Sequence, residues 1–336
     1  MKLVRTRGRG AQETARRLES LERRGGSALD SVLPAVKQIV ADVRSQGDRA
    51  LLRYAKRFDG LIGTRALRVS AEEMAEAWEA TSPALREALS TAAAQIRAFA
   101  QNQMPTSWTR SDMPGLRTGQ LVRPLESVGC YVPSGRHPLP STLLMTAIPS
   151  QVAGVPRIAV VSPKPARETL AAAHLLGISE FYRLGGAHAV AALAYGTASI
   201  ARVDKIVGPG NLYVTAAKRL VAFDCAIDML AGPTEIVVNS DHGNPSHIAA
   251  DLIAQAEHDP EALAILITTR ELLAKQVEAG LKTQSRGNSV ARQALQRNGL
   301  IILATTSEEA RELTNRLAPE HLTVDSASDL EWVRNA

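Results

Sequence analysis

Past Pro105 the chain alternates short apolar runs with segments of helical periodicity, and this alternation restricts the fold more than any other feature. Short runs rich in β-branched residues predict buried strands, and apolar residues at three- and four-residue steps predict amphipathic helices. Regular alternation of the two indicates parallel sheets with right-handed crossovers, which is an α/β fold. The predicted strands are Val128–Val132, Ile158–Val161, Phe181–Leu184, Lys205–Val207, Glu235–Val238, Ala264–Thr268 and Leu300–Leu303, and the predicted helices are Arg167–Leu176, Ala187–Tyr195, Leu212–Val221, Ser246–Glu257 and Ser307–Leu317.

The first hundred residues differ, because they hold stretches of helical spacing without strand-like runs between them. Residues 28–58 and 83–101 both repeat apolar side chains at helical steps. Asp59 and Gly60 break the first stretch, as expected of a turn. Residues 105–125 change in composition and predict a linker or an exposed loop.

The composition is that of an ordinary globular protein, with 45% hydrophobic and 22% charged residues in a chain of 336. That is enough for a sizeable core and two or three domains. Cys130 and Cys225 form no C-x-x-C pair, so we expect no disulfide framework and no cysteine-rich zinc knuckle. No stretch reaches the roughly 18 apolar residues of a membrane span, and the first residues lack a signal-peptide core. We therefore expect a cytoplasmic protein.

The positive charge is concentrated at the N-terminus. Residues 1–24 carry eight Lys and Arg against three Glu, which accounts for the whole formal net charge of +5. Such a segment could bind nucleic acid, but only 4% of residues are aromatic and no nucleic-acid-binding motif follows. We expect no nucleic-acid partner and predict a basic arm or helix over residues 1–25.

Two glycine turns are candidate anion-binding sites. Neither a G-x-G-x-x-G fingerprint after a strand nor a G-x-x-x-x-G-K-[ST] loop occurs, so these residues alone do not name a nucleotide. Gly185-Gly186 and Gly208-Pro209-Gly210-Asn211 each follow a predicted strand and open a helix. Glycines there let backbone amides approach an anion such as a pyrophosphate, although plain turn chemistry also explains each turn. Since parallel sheets bind ligands beyond the carboxyl ends of strands, we expect chemistry in the loops beginning near Pro133, Gly185, Gly208 and Thr269.

Gln255 and His258 are three residues apart on a predicted helix, so their side chains leave the same face one turn apart. Imidazole is a common zinc ligand and an amide oxygen a rarer one. A surface pair or a satisfied core pair explains the spacing equally. Glu257 points elsewhere, towards solvent or an ion-pair partner.

Glu320 and His321 follow Pro319 between a predicted helix and a short strand. The proline disfavours helix before it and sharpens the turn. Titratable neighbours at such a turn suit acid–base work near neutral pH, and an exposed loop pair is the alternative.

The remaining histidines divide by their context. His137 and His188 lie in loops where ligands are expected, and their roles stay open. We expect His174 to be packed within its helix. His242 and His247 flank a turn, so we expect both to be exposed.

Six segments, taken in order, resemble the histidinol dehydrogenase family: VGCYVPSGRHPLPSTLLMTAIPSQVAGV, LGGAHAVAALAYGT, VDKIVGPGNLYVTAAKR, IDMLAGPTEIVV, ADLIAQAEHD and APEHL. The resemblance runs from about residue 30 to the end, and the last four motifs are highly specific in combination. It implies oxidation of L-histidinol to L-histidine through L-histidinal in two NAD-dependent steps, the last of histidine biosynthesis. It also implies a zinc ion that holds the substrate and a homodimer that shares active sites.

The resemblance also assigns roles to residues. Glu320 and His321 match the acid–base pair, in which a base takes the hydroxyl proton as hydride leaves and a carboxylate takes a proton from the water that adds to the aldehyde. Zinc would act mainly as a template for the substrate. The NAD-contacting positions are Tyr131, His188 and Asn211, the zinc ligands Gln255 and His258, and the substrate-contacting positions Thr234, Gln255, His258 and His321.

Two substitutions depart from the family pattern. His188 stands where the family usually has glutamine, and Thr234 where it usually has serine. Both keep hydrogen-bonding capacity, so we expect altered tuning and not loss of function. The PSGRHPLPS loop around His137 also differs from the commoner glycine-rich version.

The largest departure is at the C-terminus, because family members continue past the position of Ala336 and supply an aspartate and a histidine to the zinc from there. Two protein ligands make a poor zinc site by the usual four-ligand standard. Asp325 or Asp329 could replace the missing ligands only with an unusual fold of the tail. We therefore expect a fragment of a longer protein or a paralogue with altered metal chemistry.

We predict an α/β fold of two incomplete Rossmann-like parallel-sheet domains with a helix-rich N-terminal region. The first domain would be discontinuous, from residues 26–126 and 237–336, and the second would span residues 127–236. Two alternatives to histidinol oxidation stay open. One is a paralogue that oxidises another small amino alcohol or diol, and the other is a truncated homologue without catalysis.

Overall fold

The computed structural model describes residues 1–8, 11–22, 27–61, 67–134, 138–230, 232 and 234–334. The chain forms two compact units. Met1–Ser27 and Gly232–Ala336 make up the terminal unit, and Ala28–Ala231 make up the central unit. Both are built on parallel sheets, which confirms the predicted α/β class.

The helices and strands are numbered in chain order. The helices are α1 (Ala11–Glu22), α2 (Ser27–Gln46), α3 (Asp48–Tyr54), α4 (Ala71–Glu79), α5 (Pro83–Asn102), α6 (Pro140–Val152), α7 (Arg167–Leu175), α8 (Gly186–Tyr195), α9 (Leu212–Val221), α10 (Pro245–Ala256), α11 (Glu271–Gln284), α12 (Ser289–Arg297) and α13 (Ser307–Leu317), with a π-helical turn at Ala55–Asp59 and a 3-10 turn at Ala327–Trp332. The strands are β1 (Lys2–Arg5), β2 (Trp108–Met113), β3 (Leu116–Gln120), β4 (Ser127–Tyr131), β5 (Arg157–Val161), β6 (Glu180–Tyr182), β7 (Lys205–Val207), β8 (Ala226–Ile227), β9 (Glu235–Asn239), β10 (Leu263–Thr268), β11 (Leu300–Leu303) and β12 (His321–Val324).

The central unit contains a five-stranded parallel sheet in the order β6-β5-β4-β7-β8. β4 is buried at every position, as expected of a central parallel strand covered on both faces. Its side chains alternate between the faces. Val128 and Cys130 join the core beneath α6 and α7, and Tyr131 joins the core beneath α8 and α9.

The terminal unit contains a second five-stranded parallel sheet, in the order β1-β11-β10-β9-β12. α10, α11 and α12 cover one face, and α1 and α13 cover the other. β10 is buried throughout, with Ala264 and Leu266 on the first face and Ile265 and Ile267 on the second.

The grouping of the N-terminal helices differs from the predicted domains, which joined residues 26–126 to residues 237–336. Val36 of α2 and Leu51 of α3 share a core with Leu193 of α8, so these helices belong to the central unit. Met74 of α4 likewise shares a core with Leu143 of α6. An apolar stripe predicts that one face of a helix is buried, but it does not specify the sheet against which that face packs.

The predicted basic arm is also partly a structural element. β1 pairs in parallel with β11, with Lys2 opposite Leu300. The charged Lys2 and Arg5 are exposed, and Leu3 and Val4 between them are half-buried. The first residues therefore complete the edge of the terminal sheet instead of extending into solvent.

Residues 105–125, predicted as a linker or an exposed loop, contain the antiparallel hairpin of β2 and β3. Every residue of both strands is exposed, including Trp108, Met113 and Leu116. The exposure was predicted, whereas the strands were not. Within the described ranges, no helix is both long and apolar enough to cross a bilayer.

Candidate functional sites

In the central unit, the Gly185-Gly186 turn lies beyond the carboxyl end of β6 and opens α8. Gly186 has a φ of +59°, which favours glycine, and its N–H donates to Tyr131 Oη at 2.9 Å. Tyr131 is itself the last residue of β4, which is separated from β6 in the sheet by β5. Burial raises the pKa of Tyr131 to about 12, so its hydroxyl stays neutral while it holds this turn.

His188 is 1% exposed and points into the protein, where its Nε2 lies 2.7 Å from Asp59 Oδ2. The same carboxylate oxygen accepts the Gly185 N–H at 3.3 Å. Asp59 and Tyr131 thus hold the two successive amides of the glycine turn. The sequence showed Asp59 only as a helix break, because no local spacing connects residues 129 positions apart.

The Gly208–Asn211 turn follows β7 at the same edge of the sheet and opens α9. Gly208 has a φ of +110°, and a Cβ atom there would collide with the carbonyl oxygen of Tyr131. Asn211 caps α9, since its Oδ1 accepts the N–H groups of Tyr213 at 3.1 Å and Val214 at 3.2 Å. The structure therefore brings both predicted glycine turns against Tyr131, at the carboxyl edge where ligands were expected.

In the terminal unit, three segments distant in sequence meet in one polar cluster. Thr234 Oγ1 donates to Glu320 Oε2 at 3.0 Å, and the Glu235 N–H donates to the same oxygen at 3.2 Å. Gln255 Nε2 donates to Thr234 Oγ1 and approaches His321 Nδ1 at 3.4 Å. The predicted substrate-contacting threonine thus bridges the predicted acid–base carboxylate and one predicted zinc ligand.

His321 is held by the backbone of β9. Its Nδ1 lies 3.2 Å from the Glu235 carbonyl oxygen and 3.6 Å from Glu320 Oε2. A carbonyl oxygen can only accept, so Nδ1 carries a proton in this contact, and in the neutral ring Nε2 then has the lone pair. Because the His321 side chain is 54% exposed, that lone pair is available to a substrate.

This cluster lies at the amino edge of its sheet, opposite to the expected edge. Glu235 is the first residue of β9 and His321 the first of β12, and Gln255 is in the last turn of α10. At the carboxyl edge, Asp241 accepts the Thr269 N–H at 2.7 Å and the Thr268 hydroxyl at 2.9 Å. The loop near Thr269 was predicted to contain functional residues. Its polar groups are instead hydrogen-bonded to Asp241.

Asp325 and Asp329 do not supply the missing metal ligands. Asp325 follows β12, so the four residues of that strand, about 13 Å at roughly 3.3 Å per residue, separate it from the His321 end. Its carboxylate accepts the N–H groups of Asp241 at 2.8 Å and His242 at 3.0 Å. Asp329 accepts from Ser326 in a capping box.

A complete zinc site does not fit the described residues. Gln255 is buried at the end of α10, and the exposed His258 follows two residues beyond that end. No group of three His, Cys, Asp or Glu among the described residues is placed to hold a metal ion. Gln255 and His258 offer two of the four ligands that a zinc ion usually takes.

Of the other histidines, His242 and His247 are exposed, as predicted. His174 was predicted to be packed, but it is exposed and lies beside Trp78, with ring centroids 6.1 Å apart. The apolar residues around it face the core, while its own position is on the solvent side of α7. His137 lies outside the described residues.

Comparison with known proteins identifies the family of the chain. A sequence model described as histidinol dehydrogenase matches residues 22–336. The chain is 46% identical to the histidinol dehydrogenase of Methanothermobacter thermautotrophicus, covering 96% of this chain and 78% of the relative. It is 47% identical to that of Geobacillus kaustophilus, covering 93% and 75%. The crystal structure of the Elizabethkingia anophelis histidinol dehydrogenase superposes with a TM-score of 0.90 at 33% identity, covering all of this chain and 79% of that one.

Proposed function

Because the chain belongs to the histidinol dehydrogenase family, we propose that it oxidises L-histidinol to L-histidine through L-histidinal, with NAD as the hydride acceptor. The observation that carries the proposal is the cluster of Thr234, Gln255, Glu320 and His321, assembled from three distant segments. It unites a base with an available lone pair, a carboxylate and a hydrogen-bonding threonine. Those are the groups that a stepwise alcohol oxidation requires.

In the first step, His321 Nε2 takes the hydroxyl proton of the alcohol while a hydride leaves the carbinol carbon for the nicotinamide ring. The products are the aldehyde, NADH and a protonated imidazole. Imidazole suits this role because its ordinary pKa lies near neutral pH. The Glu235 carbonyl, 3.2 Å from Nδ1, fixes the ring so that Nε2 is the basic atom.

In the second step, water adds to the aldehyde and gives up one proton, and the resulting hydrate anion would pass a hydride to a second NAD. The carboxylic acid that forms releases its remaining proton to solvent and becomes the carboxylate. Glu320 accepts the proton of the attacking water. Donation from Thr234 and from the Glu235 amide orients its carboxylate. Water is the nucleophile here, because burial raises the pKa of the Cys130 thiol to about 12 and that of Cys225 to about 11, which leaves neither thiol reactive.

We place NAD at the carboxyl edge of the central sheet, against Tyr131, the two glycine turns and Asn211. The partial positive charges at the N-termini of α8 and α9 suit the negative charge of a pyrophosphate. His188 acts on this site indirectly. Its buried ring contacts Asp59, and Asp59 in turn accepts the Gly185 N–H of the glycine turn. Glutamine at position 188 could keep one such hydrogen bond, so we expect His188→Gln to bind NAD within about threefold of the wild type.

Zinc enters the proposal only as an aid to substrate orientation. Gln255 and His258 are the two residues that would contact it, and no proton or hydride transfer above depends on it. Zinc content measured by mass spectrometry after dialysis, in the wild type and in His258→Ala, tests whether these two residues retain a metal ion.

We also propose a cytoplasmic homodimer. The support is the β2–β3 hairpin, whose strands expose Trp108, Met113 and Leu116. A two-stranded hairpin alone is marginally stable in water, so a second copy that covers this apolar surface explains its order. Light scattering should give a dimer mass for the wild type and a lower mass for Trp108→Ser. A reducing compartment suits the two free, buried thiols.

The test of the function is NADH formation by the purified chain with histidinol. We expect two NADH for each histidinol consumed, one for each oxidation. Histidinal supplied in place of histidinol should give one. The control is Asp251→Asn, an exposed carboxylate of α10, which should match the wild type. NADH formation with another amino alcohol but not with histidinol would overturn the substrate, and binding of NAD without any turnover would favour the homologue without catalysis.

A further inference from the structure

An ion pair between the buried Lys218 and the more exposed Asp228, which the mechanism above does not use, lies directly behind the Gly208 turn. Lys218 of α9 is 3% exposed, and its Nζ donates to the Gly208 carbonyl oxygen and to Asp228 Oδ1, both at 2.5 Å. Asp228, which follows β8, accepts the Gly208 N–H on its other oxygen at 2.7 Å. The two charged side chains therefore hold both backbone polar groups of Gly208.

The geometry of α9 explains how Lys218 reaches a residue ten positions earlier. Side chains on a helix incline towards its N-terminus, so a lysine in the last turn extends back along the helix to the turn that precedes it. A buried lysine requires compensation for the loss of water, and here a carboxylate and a carbonyl supply it. The N-terminus of α9 is already capped by Asn211, so the pair holds the turn and not the helix.

We propose that Lys218 and Asp228 are positioning residues for the dinucleotide, which order the Gly208–Asn211 turn before the ligand binds. This inference rests on the proposed NAD function. A turn that is already ordered loses less conformational entropy on binding, so the ligand binds more tightly. Lys218 also neutralises Asp228, whose carboxylate would otherwise stand unpaired behind a turn that receives a pyrophosphate.

The experiment compares Lys218→Met and Asp228→Asn with a matched control in the same unit. Glu180→Gln is that control, because Glu180 pairs with Arg157 at 2.8 and 3.0 Å, and both residues open strands at the amino edge of the sheet. We expect Lys218→Met to raise the dissociation constant and KM for NAD about tenfold, because it leaves a carboxylate that repels the ligand. Asp228→Asn should raise them about threefold, because asparagine keeps only one acceptor oxygen, so either Gly208 or Lys218 loses its acceptor, while the positive charge of Lys218 remains.

A change in NAD affinity without a change in kcat or in the KM for histidinol distinguishes a positioning role from stabilisation of the fold. We expect kcat and the KM for histidinol to stay within about twofold of the wild type in both variants. If the pair only stabilised the fold, all three variants would lower the melting temperature and none would change NAD affinity. That result would overturn the proposal. The isosteric Asp228→Asn decides the matter if Lys218→Met does not fold.

Hydrogen–deuterium exchange of the NAD-free chain gives a readout that does not need the cofactor. Peptides covering residues 205–215 should exchange faster in Lys218→Met and Asp228→Asn than in the wild type, and Glu180→Gln should not change them. Unchanged exchange would overturn the ordering of the turn. If exchange rises in the variants but the wild type binds no NAD, the proposed function is wrong, and the dinucleotide is not the ligand of this turn.

Discussion

The two units have the same architecture, a five-stranded parallel sheet covered on both faces, but their candidate residues lie at opposite edges of their sheets. In the central unit, Tyr131, Gly185 and Gly208 lie beyond the carboxyl ends of β4, β6 and β7. In the terminal unit, Glu235 and His321 open β9 and β12 at the amino edge.

The difference follows from the direction of the crossover helices. Such a helix runs antiparallel to the strands, so its N-terminus lies at the carboxyl edge and its C-terminus at the amino edge. The partial positive charge of an N-terminus favours an anion, and the partial negative charge of a C-terminus favours a cation. A pyrophosphate therefore suits the central unit's carboxyl edge, and an imidazolium suits the terminal unit's amino edge, where α10 ends close to His321.

The largest effect should come from His321→Asn, which removes the proposed base. If this variant kept full activity, the amino edge of the terminal sheet would not be the catalytic edge. We expect kcat to fall about 10²- to 10⁴-fold, because no other group accepts the hydroxyl proton at that position. The dissociation constant for NAD should not change, since the residues proposed to bind NAD belong to the central unit. Steady-state kinetics and calorimetric titration with NAD measure the two. His247→Asn, at an exposed histidine of α10, is the control.

The next largest effect should be the loss of stability in Gly208→Ala, at the carboxyl edge of the central sheet. The new methyl group would meet the Tyr131 carbonyl while the backbone keeps a φ of +110°, so we expect a loss of about 2–4 kcal/mol of unfolding free energy. Gly154→Ala is the control, because its φ is +76° but a Cβ there would make ordinary van der Waals contacts, with Pro124 Cβ at 3.7 Å and Pro124 Cγ at 3.9 Å. It should lose about 1 kcal/mol. Urea unfolding measures both, and equal losses would contradict the close approach of the turn to β4.

A smaller effect is expected at the carboxyl edge of the terminal sheet, where hydrogen bonds to Asp241 and Asp325 connect the loops. Asp325→Ala removes the acceptor for the Asp241 and His242 amides, and we expect a loss of about 1–2 kcal/mol of unfolding free energy. Turnover of histidinol should stay within about twofold, because the proposed active residues lie at the other end of the strands. A fall in kcat comparable to that of His321→Asn would show that the two edges do not act separately.

The smallest effect is a pH dependence of the unfolding free energy, which arises from Asp241 at the same carboxyl edge. Burial pushes the pKa of Asp241 up, but hydrogen bonds from the Thr269 hydroxyl and amide and the Thr268 hydroxyl outweigh it and hold the pKa below its ordinary value. The folded state thus favours the carboxylate, which stabilises the protein above the ordinary pKa of about 3.9 and ceases to do so as pH falls through the lowered value. The difference in unfolding free energy between wild type and Asp241→Asn should shrink below about pH 4. A difference that grew as pH fell would contradict this sign.

Local patterns predicted the strands well where burial was continuous. β4, β5, β10 and β11 lie within one residue of their predicted bounds, because an apolar run in a parallel sheet is buried on both faces. β1 was missed because it has only two apolar residues, Leu3 and Val4, between two charged ones, which is neither an alternating pattern nor a continuous apolar run. At a sheet edge such a strand is determined by its partner, and its own sequence carries little signal.

The site was predictable only in parts. Helical spacing predicted Gln255 and His258 on one helix face, but α10 ends at Ala256 and His258 lies beyond it. Nothing local could bring Gln255 to His321, 66 positions later. That approach depends on the pairing of β12 with β9, which sets His321 opposite Ile236. Asp59 and Lys218 were missed for the same reason, since each acts on a turn through a tertiary contact.

The position of β1 has a consequence for how the protein is made. Residues 2–5 are synthesised before the central unit, yet their partner β11 is synthesised some three hundred residues later, after the whole central unit. The central unit is continuous in sequence, so it can complete its sheet during translation, while the first strand waits for the last third of the chain. The terminal unit should therefore complete its sheet after the central one, and a substitution that weakens the pairing of β1 with β11 should slow the maturation of the terminal unit without affecting the central one.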